Sequence, residues 1–349
     1  MKGNRIEGLD IIRSFAIFCV VLVHSMQASC PVNSIEDFNN LSSLSKVVFF
    51  SLYTIGRIGV PLFLILSGYL LLPRNFDEVQ TKRFYKKNLL SLFVTWELWL
   101  PANNWLALWY FGIPFQLTTV FKDMLMIEID KIGHSWYMPV IFGIYLFIPF
   151  VSRLFKNMSN REFLMPMVIV YIYLFVVPSL SYLKSANWNS LLDLNFSGGL
   201  YGFYVILGYL LHRFENEIKG SIKLAAFIPI FIILTTCAQI WIHSSSGHIF
   251  RLWYDFFLMP PIAVVIFILL RKIKLKTFSG LIENISKCSF GMYLIHVFFI
   301  AIFLKYGILD FIVGNELRML LLTICVYSLS FIATKWIKNI PHLGKILVR

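Results

Sequence analysis

The sequence predicts an all-α fold: a polytopic transmembrane helix bundle of about ten spans, with both termini cytoplasmic. Three observations lead there. The first is composition: 58% of the 349 residues are hydrophobic and 14% charged, with a mean hydropathy of +0.74. Soluble domains are about 25% charged, so no water-soluble domain of useful size is left over, and residues 1–349 read as a single integral-membrane domain. The second is a set of ten apolar runs near the ~20-residue spanning length, at about 9–27, 47–72, 88–111, 136–155, 163–183, 196–212, 221–242, 253–271, 287–305 and 317–336. The third is the distribution of Lys and Arg. With the N-terminus inside, 22 of the 31 basic residues fall on cytoplasmic segments and 7 on outer ones, leaving Arg13 and Arg57 within spans. Cytoplasmic enrichment of this kind orients membrane proteins. It also accounts for the net charge of +13, so the basic balance points to membrane lipids and not to nucleic acid.

The first run carries Asp10, Arg13 and His24. An ionisable group at the centre of a spanning helix costs roughly 2.5–3.5 kcal/mol on insertion scales, so such groups are read as functional. Arg13 and His24 are eleven residues apart, which places both on one helix face about 16 Å apart along the axis. Charge bias puts Arg13 near the cytoplasmic surface and His24 near the outer one. Gln27-Ala28-Ser29-Cys30 resembles a lipoprotein cleavage box with Gln in an aliphatic position. The many spans that follow favour a retained helix over a cleaved signal.

The second run is over-long and contains Gly56-Arg57-Ile58-Gly59-Val60-Pro61. Gly and Pro beside a charge predict a broken helix, tolerated at membrane depth where it lines a cavity or is buried in protein. Arg57 then falls at about the level of His24, facing the same cavity or snorkelling to the interface. The basic stretch Lys82-Arg83-Phe84-Tyr85-Lys86-Lys87 opens the third run. Beyond holding topology it offers Arg83, Lys86 and Lys87 as a dock for a phosphorylated donor. Within that run Glu97 is expected to neutralise Arg13 or Arg57, since buried membrane charges normally pair.

The outer segment 112–135 holds Asp123, Glu128 and Asp130 among apolar residues and suits a short interfacial helix. His134-Ser135-Trp136-Tyr137-Met138-Pro139 opens the fourth run. Trp and Tyr there serve as interface anchors, a role that does not call for His134. In the ninth run Tyr293 and His296 share a face three residues apart; a lone membrane His is often an interhelical hydrogen bonder. The five cysteines show no disulfide or metal spacing, and no phosphate-binding or dinucleotide motif is present. No metal is expected.

Four signatures in order resemble the membrane-bound acyltransferase family 3: Gly8-Leu9-Asp10-Ile11-Ile12-Arg13 with His24 following after ten residues; Arg57-Ile58-Gly59-Val60-Pro61-Leu62-Phe63 leading to Ser67-Gly68-Tyr69; Ser135-Trp136-Tyr137-Met138-Pro139; and Gly291-Met292-Tyr293-Leu294-Ile295-His296. One element departs. Where that family often has Arg-x-x-Arg at the third helix, this chain has Arg83-Phe84-Tyr85-Lys86, which keeps charge but loses a bidentate fork. The chain resembles the stand-alone form of the family.

The resemblance implies a multi-pass enzyme of the cell (plasma or inner) membrane that uses acyl-CoA, commonly acetyl-CoA, as co-substrate. It would O-acylate a cell-surface or lipid-linked glycan, a polysaccharide modification. His24 would be the base that activates the acceptor hydroxyl, or would carry an acyl-imidazole. Arg13 would hold the donor or complete a network with Asp10, and Arg57 would stabilise the oxyanion. Glu97, His134, Tyr137, Tyr293 and His296 would support the site. A glycan or lipid transporter is the alternative; it would use intramembrane Arg and His to line a pathway and often shows internal repeats, none of which is visible.

Overall fold

The computed structural model describes residues 6–30, 32–127, 133–184, 192–218, 222–247, 249–275 and 277–348. Among them the chain is helical throughout, with no strand. The helices are α1 (Glu7–Ser29), α2 (Ile35–Asn40), α3 (Ser43–Arg57), α4 (Gly59–Leu71), α5 (Glu78–Phe84), α6 (Leu90–Phe111), α7 (Leu117–Met124), α8 (Tyr137–Lys156), α9 (Asn160–Tyr171), α10 (Val177–Lys184), α11 (Gly199–Arg213), α12 (Phe227–Ser246), α13 (Met259–Arg271), α14 (Ser279–Lys305), α15 (Asn315–Lys338) and α16 (Gly344–Leu347).

Helix occupies each of the ten apolar runs. Among the described residues seven helical stretches are both long and apolar enough to cross a membrane. The three that fall short do so for visible reasons. α11 and α13 have only 15 and 13 residues. α6 has 22, but Glu97, Asn103 and Asn104 lower its hydropathy. In the segment 112–135, α7 is the expected short helix, while Glu128 and Asp130 lie outside the described residues.

α1 occupies the centre and touches α3, α4, α13, α14 and α15. A helix whose few charged groups pair or face a cavity and whose other sides are apolar has no face to offer water and belongs inside. Of its spanning window 72% is buried, against 22% for α12 and 28% for α8, which form the outer layer. Tight contacts are made through glycine. A Cβ on Gly56 would lie 2.8 Å from the Val23 Cβ, and one on Gly59 would lie 2.6 Å from the Ala16 carbonyl oxygen. α4 and α11 meet the same way, with Gly68 against the Val205 backbone and Gly208 against that of Ile65. Small residues let helices approach where lipid supplies no hydrophobic drive.

The break predicted in the second run falls between α3 and α4 at Ile58. Pro61 has no N–H for the Arg57 carbonyl and its ring crowds that oxygen, so the helix cannot run through. At the far end of α4, Glu215 accepts from Tyr69 and pairs with Arg271, tying α4, the end of α11 and α13 together. The chain end is also anchored: Thr95 Oγ1 and Trp99 Nε1 of α6 donate to the carbonyls of Ile346 and Leu347 at 2.6 and 2.8 Å.

Candidate functional site

A cavity of about 380 Å³ runs beside the inner face of α1. Its volume falls in the small-molecule range of roughly 300–1,000 Å³. At one end it is lined by Arg13, Arg74 and Lys287, and at the other by His24, His134 and Tyr254. α1 and the α3–α4 pair are antiparallel, with Gly56 on Val23 and Gly59 on Ala16, so Arg74 at the end of α4 returns to the Arg13 level. Val20, Val60, Phe63 and Leu66 make the wall between the two ends apolar.

At the Arg13 end, Arg13 Nη1 donates to Ser286 Oγ at 2.9 Å, and Ser286 Oγ donates to Asp10 Oδ1 at 2.6 Å. Arg13 also lies 3.6 Å from Asp10. Asp10 and Arg13 are one turn apart on α1, and Ser286 arrives from α14. The network therefore neutralises the charge and fastens the two helices. Glu97 takes no part. Both its carboxylate oxygens are buried without a partner among the described residues, and it pairs with neither Arg13 nor Arg57, contrary to expectation. Asp10, one turn away on the same helix, is the nearer counter-charge.

At the other end, three imidazoles meet. His24 Nδ1 and His296 Nε2 are 2.8 Å apart, with the rings stacked at 5.0 Å. The His134 ring stands edge-on to His296 at 5.4 Å and to His24 at 6.4 Å. His296 is fully buried, and its Nδ1 lies 2.7 Å from the Tyr293 carbonyl oxygen and 3.2 Å from that of Met292. A carbonyl can only accept, so these bonds assign the proton of neutral His296 to Nδ1. Its Nε2 then accepts, and His24 Nδ1 must be the donor. That leaves the lone pair of His24 on Nε2. His24 lines the cavity and His296 does not, so His296 backs His24 and fixes its tautomer. Tyr293 joins this cluster by donating to the His134 carbonyl at 2.8 Å. Tyr137 shares the cavity wall and packs edge-on to Tyr293 at 5.9 Å.

Arg57 is 5% exposed and sits behind the wall. Its Nη2 donates to Tyr53 Oη at 2.6 Å and its Nη1 to Tyr254 Oη at 3.4 Å, while its guanidinium lies 4.8 Å from the Trp253 ring. Two phenol oxygens and three aromatic faces thus hold a buried cation, and among the described residues no carboxylate pairs with it. Aromatic faces attract cations through their quadrupole, by up to about 2 kcal/mol when desolvated.

The expected donor cations fall elsewhere. Arg83, Lys86 and Lys87 are exposed, and none lines this cavity. Lys82 and Lys86 instead edge a separate apolar groove between α6 and α8. The Arg13 end is served by Arg74 and Lys287, which read in sequence only as topology charges. Ser286 and Tyr254 were also missed: neither type stands out in a chain with 16 Tyr, and only spatial position singles them out. Among the described residues no group of three His, Cys, Asp or Glu is arranged to hold a metal ion.

Comparison with known proteins places the chain in a family. The chain is 23% identical over 379 aligned positions to an amino-acid racemase of Enterococcus faecalis. The match covers 94% of this chain and 46% of that protein, so the chain spans less than half the length of this curated relative. No solved structure matches it. A family model described as an acyltransferase domain matches residues 6–337, nearly the whole chain, and the protein belongs to the membrane-bound acyltransferase family 3.

Proposed function

We propose that this acyltransferase is an O-acyltransferase of the cell membrane, with both termini cytoplasmic. It moves an acyl group, acetyl in the first instance, from cytoplasmic acyl-CoA to a hydroxyl of a cell-surface or lipid-linked glycan. The observation that carries this reading is the single cavity that touches basic residues at one end and the backed imidazole of His24 at the other. Arg74 and Lys287 meet the polyanionic donor, with Arg13 near the entrance of the acyl-bearing arm. His24 Nε2 takes the proton of the acceptor hydroxyl as its oxygen attacks the thioester carbonyl. The tetrahedral adduct then expels CoA thiolate, which recovers that proton from the imidazolium. His296 Nε2, accepting from His24 Nδ1, keeps the ring oriented and steadies its positive charge. Racemisation is not part of this reading, because the match covers less than half of that enzyme.

His24→Ala should lower acyl transfer by ~10²–10⁴-fold, the range of general-base contributions, while the protein still accumulates in the membrane. The check is the mass of the surface polysaccharide in cells with the wild-type protein, with the variant and with neither. Loss of one acetyl mass per modified unit in the last two is expected. Full acylation by the variant would sink the assignment, and an unchanged glycan with altered export would point to transport instead.

A further inference from the structure

The proposed reaction develops a negative charge on the thioester oxygen, and that charge needs a donor in the cavity. Arg57 is the obvious cation at that depth, but it lies behind the wall and its two terminal nitrogens are engaged by Tyr53 and Tyr254. We infer that the Tyr254 hydroxyl, on the cavity wall and backed by Arg57, is the group that donates to the tetrahedral oxyanion. The inference rests on the acyl-transfer reading and names the residue that completes it.

Four features carry it. Tyr254 Oη accepts from Arg57 Nη1, so its own hydrogen is directed away from the guanidinium, and no acceptor for it exists among the described residues. Tyr254 lines the cavity together with His24. It is 3% exposed and its position is fixed: its carbonyl accepts from Tyr204 Oη at 2.6 Å, and its ring packs on Trp253 at 4.9 Å and Trp136 at 5.6 Å. A donor held in place before reaction, in a site poor in water, is the arrangement that stabilises a developing charge. Finally, the cation behind Tyr254 strengthens its phenol as a donor relative to Tyr293 and Tyr137; Tyr145, the fourth tyrosine of the wall, lies with Arg74 towards the donor end and not with His24. Tyr293 has its hydrogen engaged on the His134 carbonyl. Tyr137 also lines the cavity, but no cation lies within contact of its ring or hydroxyl among the described residues.

The test uses the full chain in inside-out membrane vesicles formed in the presence of chemically deacylated surface polysaccharide of the host, so that this acceptor fills the lumen, with acetyl-labelled CoA added outside as donor. Tyr254→Phe should lower kcat by ~10²–10³-fold, the usual effect of one oxyanion donor, with KM for acetyl-CoA within about twofold of wild type. Tyr137→Phe should cost less than about tenfold. A Tyr254→Phe protein within twofold of wild type, or a larger loss at Tyr137 than at Tyr254, overturns the inference. Should Tyr254→Phe not fold, 3,5-difluorotyrosine placed at 254 keeps the shape with a more acidic phenol. The alkaline limb of the pH–rate profile should then move to lower pH, and an unmoved limb overturns the inference. Wild-type vesicles that transfer no label overturn the acyl-transfer reading and this inference together. Wild-type transfer with an unimpaired Tyr254→Phe removes only the role of Tyr254.

Discussion

At the scale of residues, the proposed reaction turns on which nitrogen of His24 is bare. The tautomer is set by a chain of two bonds, from the Tyr293 carbonyl through His296 to His24. Removing the acceptor behind His24 lets its proton move to Nε2, where it prevents that nitrogen from taking the hydroxyl's proton. His296→Ala should therefore lower kcat by ~10²-fold, at the low end of acid–base effects, without changing KM for acyl-CoA. Gln carries both an acceptor oxygen and an N–H, so it can reproduce the two bonds, and His296→Gln should retain activity to within about tenfold. Initial rates of thiol release would measure both, and equal losses in Ala and Gln would reduce His296 to a packing residue. The pairing of Tyr293 with His296 was legible as an i, i+3 face. The bond to His24 was not, because 272 residues separate the two rings and no local pattern encodes that closeness. Arg13 and Asp10 show the opposite case. Their partnership is local, one turn apart, and was readable, whereas Ser286 from α14 was not.

At the scale of elements, glycine determines how close the helices come. A side chain at Gly68 would run into the Val205 carbonyl of α11, and backbone cannot step aside as a flexible side chain can. Gly68→Val should destabilise the bundle by about 1–3 kcal/mol, the usual cost of overpacking, and lower the midpoint of thermal unfolding in detergent. Gly143 of α8 has nothing within 4 Å of its missing Cβ, so Gly143→Ala should leave the midpoint in place. A fall at both positions, or at neither, would remove close approach as the reason for glycine at 68. The same scale shows what sequence conveys well. All ten helical runs were legible because apolar length is a strong signal, and the α3–α4 break because Pro61 forces it. The polar content of α6 was legible too, but not its consequence: among the described residues Glu97 has no hydrogen-bond partner, because which face of a helix meets which neighbour is decided by packing and not by periodicity.

At the scale of the whole molecule, the cavity joins two ends that differ in charge, and in the proposed reaction this difference would separate donor handling from acceptor chemistry. On the proposed reading, basic residues at the mouth would act by attracting the donor's phosphates, so their removal should change donor affinity and leave the chemical step alone. Arg74 and Lys287 are exposed, and Lys287 pairs with Glu283 on the same helix. Both can still reach a phosphate at modest cost, as snorkelling side chains do. The Arg74→Gln, Lys287→Gln double variant should raise KM for acetyl-CoA by ~10-fold with kcat within about twofold. The wild-type KM should rise with ionic strength, since exposed charges are screened over about 8 Å at 0.15 M salt. Arg83→Gln, Lys86→Gln and Lys87→Gln together should raise KM less, because none of these residues lines the cavity. Sided vesicles provide the measurement: inside-out vesicles expose this mouth to added donor, and right-side-out vesicles do not. A larger KM effect from the 83, 86 and 87 triple variant than from the 74 and 287 double would move the donor's phosphates to the α5–α6 entrance. Activity of sealed right-side-out vesicles with external acetyl-CoA would reverse the orientation that the basic residues assign.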